Sequence, residues 1–209
     1  MKRRVASTIL NIAIAVAVIW AWLAMMFRFE NGLLSSRGWA SLKYFTVLSN
    51  LLQAAASVAY AIAALRSLAR GGGGIPRGVA LLKYAAAVSV SLTFLTVMLF
   101  LGPVFGYGGM FAGSNLFFHL LVPLAAAFDF CTLDREGTFS LRDSLIAVVP
   151  MLLYGAGYVL NILVNGVTGN DWYGFAAGGV ETFPLVFAAM ALATWGVALI
   201  LRLPRRAKR

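Results

Sequence analysis

The sequence predicts an all-α, polytopic membrane bundle of six transmembrane helices with both termini cytoplasmic, and three observations carry that prediction. Apolar residues are 61% of the 209-residue chain and charged residues 11%, against about 45–50% and about 25% in soluble domains. The apolar residues gather in six blocks, 5–27, 41–65, 79–101, 114–133, 145–163 and 181–201. Each is near the roughly 20 residues that a helix rising about 1.5 Å per residue needs to cross a hydrocarbon core of about 30 Å. The basic residues are also sorted by side. With the N-terminus inside, Arg28, Arg37 and Lys43 fall outside and the other 14 of the 17 fall inside, a strong positive-inside bias.

The first block begins with the basic residues 2–4. Its apolar run of 23 residues exceeds the roughly 7–15 of a signal peptide, so it reads as a retained helix. The second block is followed by a loop with four glycines at 71–74 and Pro76, a flexible connection. The third and fourth blocks are joined by 102–113. The charged turn DREGTFSLRDS, 134–144, leads to the fifth, and 164–180 leads to the sixth. Trp39, Tyr107, Trp172 and Tyr173 suit an interfacial aromatic belt. The connections are short, so neighbours run antiparallel, and residues 1–209 form a single integral-membrane domain.

This composition excludes a soluble enzyme, a disordered tail and a secreted disulfide scaffold. Cys131 stands alone, so neither an internal disulfide nor a cysteine metal cluster is expected. In a soluble chain a net charge of +10 would suggest nucleic acid. Here the sidedness of the charges accounts for it, and no nucleic-acid partner is expected. The C-terminal RLPRRAKR is expected to hold anionic headgroups. Lys43 and Lys83, near helix ends, are expected to snorkel, and Asp129 to pair with Arg135 or Arg142.

Polar residues inside the spans mark candidate chemistry, because hydrocarbon makes them costly. Thr46 and His119 each lie five positions into a block that runs inward, roughly 7–8 Å below the helix start. They share a level in the outer leaflet. Thr46 and Asn50 are spaced i, i+4, as are Asn115 and His119. Pro123 follows His119 by four, so a kink and a freed carbonyl at residue 119 are expected. A threonine hydroxyl becomes a nucleophile when a base takes its proton, and a neutral imidazole is such a base. Asn50 or Asn115 could donate to a developing oxyanion. Glu181 could orient the imidazole, or pair with Arg28 or Lys43. The run Ser89, Ser91, Thr93 reads as helix-packing contacts. One histidine leaves too few ligands for a metal, and no cofactor is expected.

The segments KYFTVLSNLLQ at 43–53 and NLFFHLLVPL at 115–124 resemble the androgen-induced family of membrane proteins and its bacterial six-span relatives. The resemblance implies a six-span fold and an intramembrane threonine hydrolase acting on fatty-acid esters of hydroxy fatty acids. It places the nucleophile at Thr46 and the histidine at His119, with Lys43, Tyr44 and Gln53 in the threonine segment. A more distant branch of cysteine–histidine acyltransferases fits less well, because no cysteine stands at the nucleophile position. The expectation is therefore a lipid ester hydrolase of a bacterial-type plasma membrane, with membrane lipids as its partners. Two alternatives stay open. One is a small proton-coupled transporter relaying protons through His119 and Glu181, supported by an inverted echo between LKYFTVLSN at 42–50 and LKYAAAVSVS at 82–91. The other is a non-catalytic membrane scaffold. Oligomeric state is not encoded in these patterns.

Overall fold

The computed structural model describes residues 2–27 and 38–205. Six helices are long and apolar enough to cross a membrane: α1 Lys2–Phe27, α2 Phe45–Ala69, α3 Arg77–Phe105, α4 Ser114–Leu133, α5 Leu141–Asn165 and α6 Val180–Arg205. Among the described residues there is no strand. In lipid every backbone amide must bond within the protein, and a helix does so within its own segment.

Helix ends follow local chemistry. α5 begins four residues before its apolar run because Ser140 and Asp143 form a capping box. The Ser140 N–H donates to Asp143 Oδ2 at 2.6 Å, and the Asp143 N–H to Ser140 Oγ at 3.3 Å. These bonds satisfy two otherwise orphaned donors. The same helix stops at Gly166, whose φ of +79° suits a residue without a Cβ.

Burial is inverted relative to a soluble bundle. Leu99 and Leu185 are each 76% exposed, whereas Asn11, Asn50 and Asp129 are each 0% exposed. An apolar rim around a partly polar interior is what a lipid solvent selects. Together with the six long apolar helices, it makes the chain a multi-pass membrane protein. One interior cluster joins α1, α2 and α4 through Val18, Met25, Val47, Phe118 and Val122. Ala15, Ala21 and Ala54 in the same cluster let the backbones approach closely. A second cluster joins α3, α4 and α6 through Tyr84, Val88, Phe130, Val197 and Leu201.

Two charge expectations are overturned. Lys83 does not snorkel. It is 2% exposed, its Nζ donates to Asp129 Oδ2 at 2.5 Å and Asp134 Oδ2 at 3.0 Å, and it lies 3.4 Å from the Tyr60 ring centroid. Asp129 pairs with Lys83 and accepts from Asn11 Nδ2 at 2.7 Å, not with Arg135 or Arg142. The reason is which way the helices face. Lys83 lies on the side of α3 covered by α2 and α4, so carboxylates are nearer than water. Arg205 closes the cluster by donating to Asp134 Oδ2 at 3.3 Å. Arg202 Nε donates to the Phe139 carbonyl at 2.7 Å. These two bases of the C-terminal tail therefore bond to protein, and the remaining tail, 206–209, lies outside the described residues. Lys43 rests over the Tyr44 and Trp172 rings, 5.3 and 5.4 Å from their centroids. Of the run Ser89, Ser91, Thr93, the last packs as expected, its hydroxyl 3.0 Å from that of Ser49 across α3 and α2; Ser89 donates to the Ala85 carbonyl of its own helix, and Ser91 Oγ has no partner among the described residues.

Candidate active site

α4 is not a uniform α-helix. Residues Phe117–Leu121, which contain His119, form a π-helical turn, and the Val122 N–H donates to the Phe117 carbonyl. In that i→i+5 register the next donor would be residue 123, which is proline and has no N–H. The freed carbonyl is thus that of Phe118 rather than residue 119, one position earlier than an α-helical count gives. Asn50 of α2 fills the gap, its Nδ2 donating to the Phe118 carbonyl at 3.1 Å and to the Thr46 carbonyl at 2.8 Å.

That bonding corrects the expected role of Asn50. Both its N–H groups serve backbone carbonyls, and the residue is 0% exposed, so it has no donor left for an oxyanion. It couples α2 to the π turn. Replacing it with alanine should cost about 1 kcal/mol, between the roughly 0.6 measured for membrane side-chain bonds and the larger cost of an orphaned buried carbonyl. Unfolding of the Asn50→Ala protein in detergent measures this, and unchanged stability would remove the coupling role.

Thr46 and His119 line one cavity of about 240 Å³ at the end of the bundle opposite the arginine-rich one. Met25, Tyr44, Met110, Asn115 and Trp172 complete most of its wall. His119 is 6% exposed, and its Nδ1 lies 2.6 Å from the Met110 carbonyl. A carbonyl oxygen only accepts, so Nδ1 carries the proton and a neutral ring leaves its lone pair on Nε2. Met110 ends the short helix Tyr107–Met110. The turn that follows is held by Ser114 Oγ donating to the Ala21 carbonyl of α1 at 2.6 Å. The Thr46 hydroxyl makes no hydrogen bond with a described residue, while its carbonyl accepts from Ser49 and Asn50.

Asn115 lines the cavity, with only a long 3.5 Å contact from Nδ2 to the Gly109 carbonyl. It is the asparagine with donor capacity to spare. Glu181 is exposed and lies outside the cavity wall. Its 3₁₀ turn, Val180–Thr182, points Thr182 inward, where its hydroxyl donates to the Phe175 carbonyl at 3.0 Å. Glu181 forms no ion pair with Lys43 among the described residues, and Arg28 lies outside them. The imidazole is oriented by a backbone carbonyl instead.

A narrower apolar slot adjoins this cavity and shares Thr46, Leu101 and Tyr173 with it. It runs between α2, α3, α5 and α6 past Thr96, Phe100, Gly155 and Phe187. Gly155 leaves the room: a Cβ there would come within 2.5 Å of the Phe187 ring. The mouth is framed by aromatic hydroxyls. Tyr173 accepts from the Phe45 N–H at 2.9 Å, and Tyr154 donates to the Lys43 carbonyl at 2.7 Å. Burial, reinforced by Tyr154, holds the Tyr173 phenol well above its usual pKa, so it stays neutral. Sequence reading missed Met110, Tyr154 and the placement of Tyr173, assigning the last to the membrane belt. No family model, curated protein or solved structure matches this chain.

Proposed function

We propose that this six-span membrane protein is a lipid ester hydrolase of a bacterial-type plasma membrane, with Thr46 as nucleophile and His119 as base. The carrying observation is that both residues line one cavity, where the His119 tautomer is fixed with its lone pair on Nε2. The threonine and histidine motifs named above point the same way. The proton-relay alternative loses its carboxylate, since Glu181 lies outside the cavity.

The chemistry is an acyl transfer in two halves. Thr46 Oγ attacks the ester carbonyl carbon and gives its proton to His119 Nε2. Asn115 Nδ2 donates to the oxyanion. The carbon–oxygen bond to the alcohol breaks, and His119 returns the proton to the leaving oxygen. Water then attacks the acyl-threonine, losing a proton to His119, which passes it to Thr46 Oγ as the fatty acid departs. The adjoining slot, lined almost wholly by apolar and aromatic groups, accepts the acyl chain, and a lipid reaches it sideways from the leaflet without crossing water.

The test uses purified protein and fluorescent fatty-acyl esters. Thr46→Ala should abolish turnover in protein that unfolds like wild type. Wild-type rates in that variant would end the proposal.

A further inference from the structure

The arginine-rich end of the bundle holds a second, unrelated cleft. It has a volume of about 460 Å³ and lies between the start of α1, the end of α2 and the end of α4. Arg3, Arg4 and Arg135 line it against a single carboxylate, Glu136. That carboxylate is already spent: Oε1 accepts from Arg4 Nε at 2.6 Å, and Oε2 from the Ile75 N–H at 3.2 Å. Arg3 and Arg135 are exposed and form no ion pair with a described residue. Two guanidinium groups therefore face the cleft uncompensated.

The backbone of the cleft also favours an anion. Glycines 71–73 line one wall with φ of +73°, +148° and +120°, so no Cβ keeps a ligand from the chain. The amide of Gly73 donates to no described acceptor. The negative end of α2 is blunted, because the N–H groups of Arg70, Gly71 and Gly72 occupy the carbonyls of Arg66, Leu68 and Ser67. Leu68 and Leu133 supply apolar wall beside these donors. A water occupies about 30 Å³, so the cleft takes a phosphate with room for a glycerol.

We infer that this cleft binds the phosphodiester headgroup of an anionic phospholipid in the leaflet that faces the arginine-rich end. Basic pockets between helices on the cytoplasmic side are suited to such headgroups, and a guanidinium fork matches phosphate oxygens. The apolar wall of Leu68 and Leu133 favours a lipid over a soluble phosphoester, because it can cover the first carbons of an acyl chain. The cleft shares no lining residue with the cavity of Thr46 and His119.

The test titrates the purified full chain in neutral detergent with phosphatidylglycerol, phosphatidylcholine or inorganic phosphate, and counts bound lipid by native mass spectrometry. Wild type should prefer phosphatidylglycerol. Arg3→Ala/Arg135→Ala should weaken it about thirtyfold, equivalent to about 1 kcal/mol for each guanidinium lost. Lys2→Ala/Arg142→Ala removes the same charge from exposed positions of the same end that line neither this cleft nor the one beside it that shares Gly72 and Gly73, and should change affinity by less than about threefold. Equal losses in the two double variants would overturn the site in favour of diffuse surface charge. Displacement of the lipid by micromolar inorganic phosphate would overturn the lipid assignment.

Discussion

Replacing Lys83 with methionine should destabilise the bundle by about 3–5 kcal/mol, the usual cost of removing one partner from a buried ion pair. Lys83 is the shared donor to Asp129 and Asp134. Asp134 keeps Arg205, but Asp129 is left with only the Asn11 amide, and its Oδ1 already lacks a partner among the described residues. A carboxylate 0% exposed with one neutral donor is an uncompensated buried charge. The double variant Lys83→Met/Asp129→Leu removes both charges and should recover most of the loss, since apolar replacement of a whole buried pair is often neutral. Unfolding in detergent compares the three proteins. A methionine variant as stable as wild type would mean that the ionic cluster does not hold the helices. If the proposed hydrolase reading holds, turnover in the double variant should match wild type, because the cluster lies near the end opposite Thr46.

The six helices were legible because a span is a property of composition over about 20 residues, and no tertiary knowledge is needed to see it. Their ends were less so. α5 starts at Leu141 rather than 145 because the Ser140–Asp143 capping box outweighs the polarity of the turn. Depth counting along 41–65 and 114–133 brought Thr46 and His119 to one level, and the structure has them on one cavity. Direction around a helix axis was harder to read. Asn50, one turn from Thr46, faces α4 and serves backbone, and Lys83 near its helix end faces inward. The Met110 carbonyl that orients His119 was invisible to side-chain patterns, since every residue carries a carbonyl. Its only trace is the Gly113–Ser114 turn that brings it back over the ring.

In the hydrolase reading, Thr46 and His119 act as one unit, and that has a kinetic consequence that a structural role lacks. His119→Ala should lower turnover of a fluorescent acyl ester by about 10²–10⁴, the range for loss of a general base, and Thr46→Ala should lower it at least as far. The double variant should lose no more than the worse single, because a nucleophile without its base and a base without its nucleophile are equally idle. If the residues only packed helices, the losses would track stability and grow additively in the double variant. Thr46→Ser keeps a hydroxyl at the same backbone position and should retain measurable turnover where alanine does not. Intact mass after brief exposure to substrate supplies the independent readout. An adduct of one acyl group should form on wild type and be absent from Thr46→Ala. An adduct that persists without the Thr46 hydroxyl would assign the nucleophile elsewhere. The geometry makes the histidine the more exposed of the two to small repacking. Its ring is aligned by one 2.6 Å bond to a turn carbonyl and by a π turn that Asn50 holds. Asn50→Ala should therefore reduce turnover with the acyl ester's KM little changed, since the slot for the chain lies on the other side of Thr46.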